Sequence, residues 1–250
     1  MRYIKLAHFL SLDVVLGAVF FQIFFHLIFL HEWPSMFVMG ALASSVGLIY
    51  ILDRWLDNRL FIASDDRHIF YKQNRRHAFI LAGFWLMLGI VCLCYLPISL
   101  IRFSVIIGFF VLVYWLVYSL SWFSRVRALK EYCTAFLYSL GIFAPIFSRF
   151  PSLDGPLFLY FFALLFIVFQ NLYLFTRVDR FLRGLEIWNG LYLIFLTIYL
   201  QDVMRIVPFF LTFGIHVALR VFGLSARSRM IGEIAFFSPL LYIIYGIISK

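Results

Sequence analysis

Charge is the scarcest property of this 250-residue chain: Asp, Glu, Lys and Arg together make up 13% of it, against 64% hydrophobic residues and a mean hydropathy of +0.99. So few polar side chains cannot clothe a water-soluble surface, which excludes an ordinary soluble domain. Cysteine is equally sparse. Cys92 and Cys94 fall inside one apolar stretch and Cys133 begins another; this spacing fits neither a disulfide framework nor a zinc site and marks them as small core residues. The chain has no low-complexity tract, no clear internal repeat and no segment that reads as a separate soluble domain. What it has in abundance is apolar and aromatic bulk, including 33 Phe, 14 Tyr and 6 Trp.

About 20 apolar residues span a bilayer as a helix. Breaks at charge clusters, Pro and Gly divide the chain into nine candidate spans, at 9–30, 35–52, 78–97, 103–122, 131–149, 156–175, 187–200, 204–222 and 231–248. The seventh is short and is expected to be tilted or only partly spanning. The first is too long for a signal-peptide apolar region and lacks a convincing cleavage site, so it is expected to stay as a membrane helix. The expected fold is an all-α polytopic membrane protein, one membrane-embedded domain over 1–250 with a cytoplasmic-facing cavity. Its cytoplasmic loops are expected at about 53–77, 123–130, 176–186 and 223–230.

Sidedness follows from the basic residues. With the N-terminus inside, all but four of the 21 Lys and Arg fall in cytoplasmic loops, the exceptions being Arg102, Arg149, Arg205 and Lys250. This is the positive-inside pattern and places the chain in a cytoplasmic (inner) membrane. The net charge of +9 is thereby accounted for by topology and lipid headgroups, without a nucleic-acid partner. The acids obey no such rule, yet all except Glu32, Asp154 and Asp202 lie at or near the same ends. A polar cytoplasmic-facing cavity is the simplest reason.

The sharpest local feature is Asp53-Arg54-Trp55-Leu56-Asp57, at the end of the second span. Carboxylates four residues apart share one face of a helix, and at a membrane boundary they call for a cation, metal or substrate. The stretch that follows to His77 holds Asp65, Asp66, Arg59, Arg67, Lys72, Arg75 and Arg76, with His68 and His77. Magnesium takes oxygen ligands and commonly bridges carboxylates to phosphates, while guanidinium groups match phosphate oxygens. The alternative is a solvated loop whose acids neutralise topogenic arginines. Within the spans, Asp13 and Glu233 need a partner or a cavity, and Arg229 is the i,i−4 partner available to Glu233. Asn171 reads as an acceptor or metal-shell residue, or as an interhelical hydrogen bond. His26 and His216 are expected to make satisfied interhelical contacts.

Taken together, these segments resemble the UbiA-type intramembrane prenyltransferases. Tyr50 to Asp57 is similar to that family's first aspartate-rich motif, and Asp66-Arg67-His68-Ile69-Phe70 with Arg75-Arg76-His77 to the basic run of a divergent branch. Ser11 to Gly17 resembles the family's opening segment, Ala128-Leu129-Lys130-Glu131 with Gly141 its Leu-Lys-Glu…Gly segment, and Asn171 to Gly184 occupies the place of the second aspartate-rich motif. Two departures stand out. Ile49 and Tyr50 replace the Asn-Asp that opens the fuller first motif. Thr176 to Gly184 carries one aspartate, Asp179, among Arg177, Arg180 and Arg183, where the family has two aspartates.

The resemblance implies Mg2+-dependent transfer of a polyprenyl chain from its diphosphate to an aromatic or other small lipophilic acceptor in the membrane lipid. It implies Asp53, Asp57 and Asp179 as catalytic metal ligands. Asp13, Arg54, Arg67, Arg75, Arg76, Lys130, Asn171, Arg180 and Glu233 are then the substrate-binding set. Two other classes stay open: a non-catalytic descendant that binds an isoprenoid or lipid, suggested by the eroded second motif, and a transporter, suggested by the intramembrane acids.

Overall fold

The computed structural model describes residues 8, 10–60, 70, 71, 73–119, 127–149, 154–175, 179–223 and 228–248, with the side chains of 57–60, 119, 127, 128, 179 and 180 outside the description. Every element among them is helical. In chain order these are α1 (Leu12–Phe25, continued by a π-helical turn His26–Leu30), α2 (Met36–Leu60), α3 (Arg75–Leu93), α4 (Ile98–Ser119) and α5 (Arg127–Phe147). Then come α6 (Gly155–Leu174), α7 (Asp179–Leu200), α8 (Val203–Val221), α9 (Ser228–Ile234), a 3₁₀ turn Ala235–Phe237, and α10 (Pro239–Ile248). With no water in a bilayer core, a chain this apolar satisfies its backbone polar groups within its own helices.

Among the described residues, eight helices are long and apolar enough to cross a membrane: Leu12–Leu30, Met36–Leu56, Arg75–Leu93, Ile98–Tyr118, Gly155–Leu174, Phe181–Leu200, Val203–Val221 and Ser228–Ile248. The protein is thus an all-helical integral membrane protein. The expected fifth span is present as the 21-residue helix α5 but is not one of the eight. Its first turns carry Arg127, Lys130 and Glu131, so its apolar part is shorter than its length. The expected short seventh span is longer than foreseen. The helix runs straight through Glu186 back to Asp179, because Phe181, Leu182 and Leu185 extend the apolar pattern past that one acid.

The bundle has a core and a rim. Helices α6 and α1 are innermost, with 72% and 61% of their spans buried, against 11% for α3 and α4, whose Phe79, Phe84, Phe109 and Phe110 point outward. Phe21, Phe24 and Phe25 of α1, Phe143 of α5, Tyr160 of α6 and Phe209 of α8 are fully buried. Their rings meet mostly edge-on or tilted, with Phe25–Phe143 centroids 4.2 Å apart and Phe21–Phe209 5.7 Å apart. Each such pair contributes about 0.5–1.5 kcal/mol beyond area, which matters where lipid removes the hydrophobic drive for helix association.

The rim uses the opposite device. Gly40, Ser44 and Gly47 of α2 face Cys92, Gly89 and Trp85 of α3, and a methyl group on Gly47 would meet the Trp85 ring at 2.5 Å. Small residues at this spacing let two backbones close on each other. The last span is held at its break by side chains. The Thr212 hydroxyl is within hydrogen-bonding distance of the Pro208 and Ala235 carbonyls (2.9 and 3.1 Å), and Ser238 donates to Pro208 O at 2.8 Å.

His216 meets the expectation of an interhelical contact, its Nε2 donating to Gly232 O at 3.1 Å. His26 does not: it is buried at the first position of the π-helical turn, and neither ring nitrogen has a hydrogen-bond partner among the described residues.

Gly47→Val is expected to lower the thermal unfolding midpoint in detergent, at a cost of about 1–3 kcal/mol from overpacking. Gly83→Val on α3, where nothing lies within 4 Å, should leave the midpoint nearly unchanged. Equal melting of the two variants would remove the small-residue seam as the basis of this packing.

Candidate functional site

Two polar clusters lie at one end of the bundle, where α1, α3, α5, α7 and α9 begin and α2, α4, α6 and α8 finish. The first is built by a turn at the start of α1. Ser11 adopts a left-handed conformation (φ 58°), and its N–H donates to His8 O at 3.1 Å. The turn folds the His8 ring back over the first turn of α1, which carries Asp13. Nδ1 of His8 lies 2.5 Å from Asp13 Oδ2 and 3.4 Å from Glu233 Oε2 of α9. Arg229, one helical turn before Glu233, brings its Nε to 3.6 Å from the other oxygen, Oε1. Asp13 and Glu233 are only 6% and 5% exposed. Tyr138 of α5 donates its hydroxyl to Val14 O at 3.3 Å.

The second cluster joins α2, α4 and α5. Lys130 Nζ lies 3.9 Å from Asp53 Oδ1, donates to the Tyr118 hydroxyl at 3.2 Å, and sits 4.4 Å from that ring's centroid. Thr134 accompanies it one turn on, donating to Lys130 O at 3.0 Å. Arg54 is buried; its Nη2 donates to the Tyr50 hydroxyl at 2.8 Å and its guanidinium lies 4.8 Å from the Tyr50 centroid. Aromatic faces and hydroxyls here carry cations that the apolar interior would otherwise penalise.

Of the residues singled out in the sequence, the fold places Asp13 and Glu233 in the first cluster and Asp53 and Lys130 in the second, while Arg54 is held by Tyr50 one turn back on α2. Asn171 is buried near the end of α6, and its Oδ1 has no hydrogen-bond partner among the described residues. Arg75 and Arg76 are exposed on the first turn of α3. Asp57 is on α2, and Asp179 and Arg180 open α7, with side chains outside the described residues; Arg67 lies outside them altogether. Glu186 is taken up by structure: Arg220 Nε lies 2.7 and 2.6 Å from its two oxygens, bracing α7 against α8.

Magnesium can be tested against Asp53, the one side chain of the expected metal set that is described. Its Oδ1 is inaccessible beside Lys130, whereas the side chain as a whole is 23% exposed. Asp53 is one oxygen ligand that already has an ammonium group as neighbour, and the side chains of the other two expected ligands, Asp57 and Asp179, lie outside the described residues.

His8, Tyr138 and Tyr118 take part in these clusters without having been singled out by the sequence pattern, and Tyr50 figured there only as a departure from the first motif. His8 precedes the first apolar run and gains its role only through the left-handed turn at Ser11. Tyr118 and Tyr138 are indistinguishable in the sequence from the many aromatic packing residues. Arg229 had the one usable signal, its i,i+4 spacing to Glu233.

No family model, no curated protein and no solved structure matches this chain.

Glu186→Gln, which keeps the shape of the side chain and removes its charge, is expected to destabilise the protein by about 1–2 kcal/mol. The readout is the thermal midpoint in detergent. The double variant Glu186→Gln, Arg220→Gln should cost less than the two single changes added together, and strict additivity would show that the pair is not coupled.

Proposed function

We propose that the protein is a membrane prenyltransferase. In this reading it binds a polyprenyl diphosphate at the charged, cytoplasmic end of the bundle and transfers the prenyl chain to an aromatic or other small lipophilic acceptor. The reading rests on the motif resemblance. The observation that supports it best is the partly buried contact of Asp53 on α2 with Lys130 on α5 beside Tyr118, with the buried Arg54 held by Tyr50 on the same end of α2. Buried ionisable groups at the edge of a membrane bundle are costly and are retained for substrates or ions.

In this reading Lys130 holds phosphate oxygens as a point charge and Arg54 supplies planar donors. Asp53 and Asp57, with Asp179, would hold magnesium, which when bound offsets the negative charge that develops on the departing diphosphate. The carbon–oxygen bond to the allylic carbon breaks, diphosphate leaves with the electron pair, and the acceptor forms the new bond and loses a proton. The apolar interior keeps water from the allylic carbon during that interval.

A second reading is a descendant that binds the isoprenoid diphosphate without turnover. The Thr176–Gly184 segment favours it, since one aspartate stands there among three arginines.

Membranes containing the protein, incubated with labelled prenyl diphosphates and aromatic acceptors, are expected to show Mg2+-dependent transfer. The double variant Asp53→Asn, Asp57→Asn should lose about 100-fold or more of that rate. Transfer at the parental rate by this variant removes the site. A thermal shift with prenyl diphosphate and no product under any acceptor condition selects the binding reading instead.

A further inference from the structure

Asp13 and Glu233, which the family resemblance puts in the substrate-binding set, stand instead with His8, and the chemistry of this cluster differs from that of Asp53, Arg54 and Lys130. We propose that it is a binding site for a divalent first-row transition metal, with Zn2+ as the ion that suits it. The proposal does not depend on prenyl transfer.

Three arguments carry it. The first is the ligand set. One imidazole nitrogen and two carboxylate oxygens, from the turn before α1, from α1 and from α9, lie within 4.8 Å of one another. Magnesium prefers oxygen alone, whereas imidazole with carboxylates suits zinc and its neighbours, and three protein ligands with an open position is the pattern of reactive zinc sites.

The second is distance. Ligand bonds of about 2.0 Å at a tetrahedral angle set ligand atoms about 3.3 Å apart. His8 Nδ1 and Glu233 Oε2 already stand at 3.4 Å, and Nδ1 and Asp13 Oδ2, at 2.5 Å, need to part by less than an ångström. Arg229 engages Oε1, so Oε2 is the oxygen presented to His8. Binding replaces the proton between His8 and Asp13 by the metal, and that proton is released.

The third is a pair of buried oxygens, one on a residue between two of the ligands in the chain and one against the residue that precedes Glu233. The Ser11 hydroxyl, in the turn between His8 and Asp13, is 1% exposed, and the Asn171 amide oxygen, on a residue 8% exposed, lies 2.9 Å from where a Cβ on Gly232 would stand. Neither has a hydrogen-bond partner among the described residues. Buried acceptors normally find a donor, and a water on the metal's open position is a donor of the right kind.

The test uses the full chain in detergent micelles, stripped with chelator and then given Zn2+. Elemental analysis after desalting is expected to show one zinc per chain, retained in the presence of millimolar Mg2+. X-ray absorption at the zinc edge of the parent protein is expected to show imidazole scattering and no sulfur shell. His8→Ala, Asp13→Asn and Glu233→Gln should each weaken Zn2+ binding at least tenfold in calorimetric titration, while Asp53→Asn leaves it unchanged. The proposal is overturned by a folded parent that retains no zinc, by a sulfur shell pointing to the cysteines, or by Asp53→Asn weakening binding as much as Asp13→Asn. The two parent measurements decide the matter even where a variant does not fold.

Discussion

Two carboxylates from opposite ends of the chain, Asp13 and Glu233, share one imidazole, and the arrangement of the charged end depends on that closure. A buried carboxylate in a bilayer protein is costly unless matched, and two of them side by side cost more still. His8 and Arg229 supply the matching groups. For His8 to reach, the chain before α1 turns back through a left-handed Ser11, and α9 packs beside α1. The first helix is therefore fixed at its charged end by polar contacts and along its length by rings from α5, α6, α8 and the last span.

The same economy governs the remainder of the bundle. Central helices interlock through large rings, while the peripheral pair α2 and α3 approaches through glycine and serine. Both devices gain contact without relying on water being expelled, because lipid is as apolar as the side chains. Polar groups inside the bundle are drawn to neighbours that already exist. Asn189 donates to Gln170 at 2.6 Å between α7 and α6, and Tyr192 donates to Leu159 O at 2.9 Å. At the far end Glu32 pairs with Arg149, and Asp202 caps α8 by accepting from Arg205 N at 3.3 Å.

Much of the architecture was legible because membrane helices announce themselves by length and hydropathy. The limits came from charge near helix ends: Lys130 and Glu131 shorten the apolar part of α5, and Glu186 interrupts the pattern of α7 without interrupting the helix. At the site, Asp13, Asp53 and Glu233 stood out because an acid in an apolar run is anomalous on its own. Of their partners, Lys130 entered only through the family resemblance and His8 not at all. His8 and Lys130 are ordinary residues until tertiary structure carries them across a turn or between helices, and no local spacing encodes that. The one partner that spacing did encode, Arg229, lies on the same helix.

The interruption of the last span has a mechanical consequence. α9 is seven residues, about 10 Å long, and it is separated from α10 by the 3₁₀ turn at Ala235–Phe237. The Thr212 and Ser238 hydroxyls secure that junction to α8. Glu233 thus stands two residues before the anchored junction, and its carboxylate bears against His8. The break between Glu233 and α10 lets α9 take its own direction rather than continue that of α10. The segment therefore sets the geometry of the charged end separately from the seating of the span that follows.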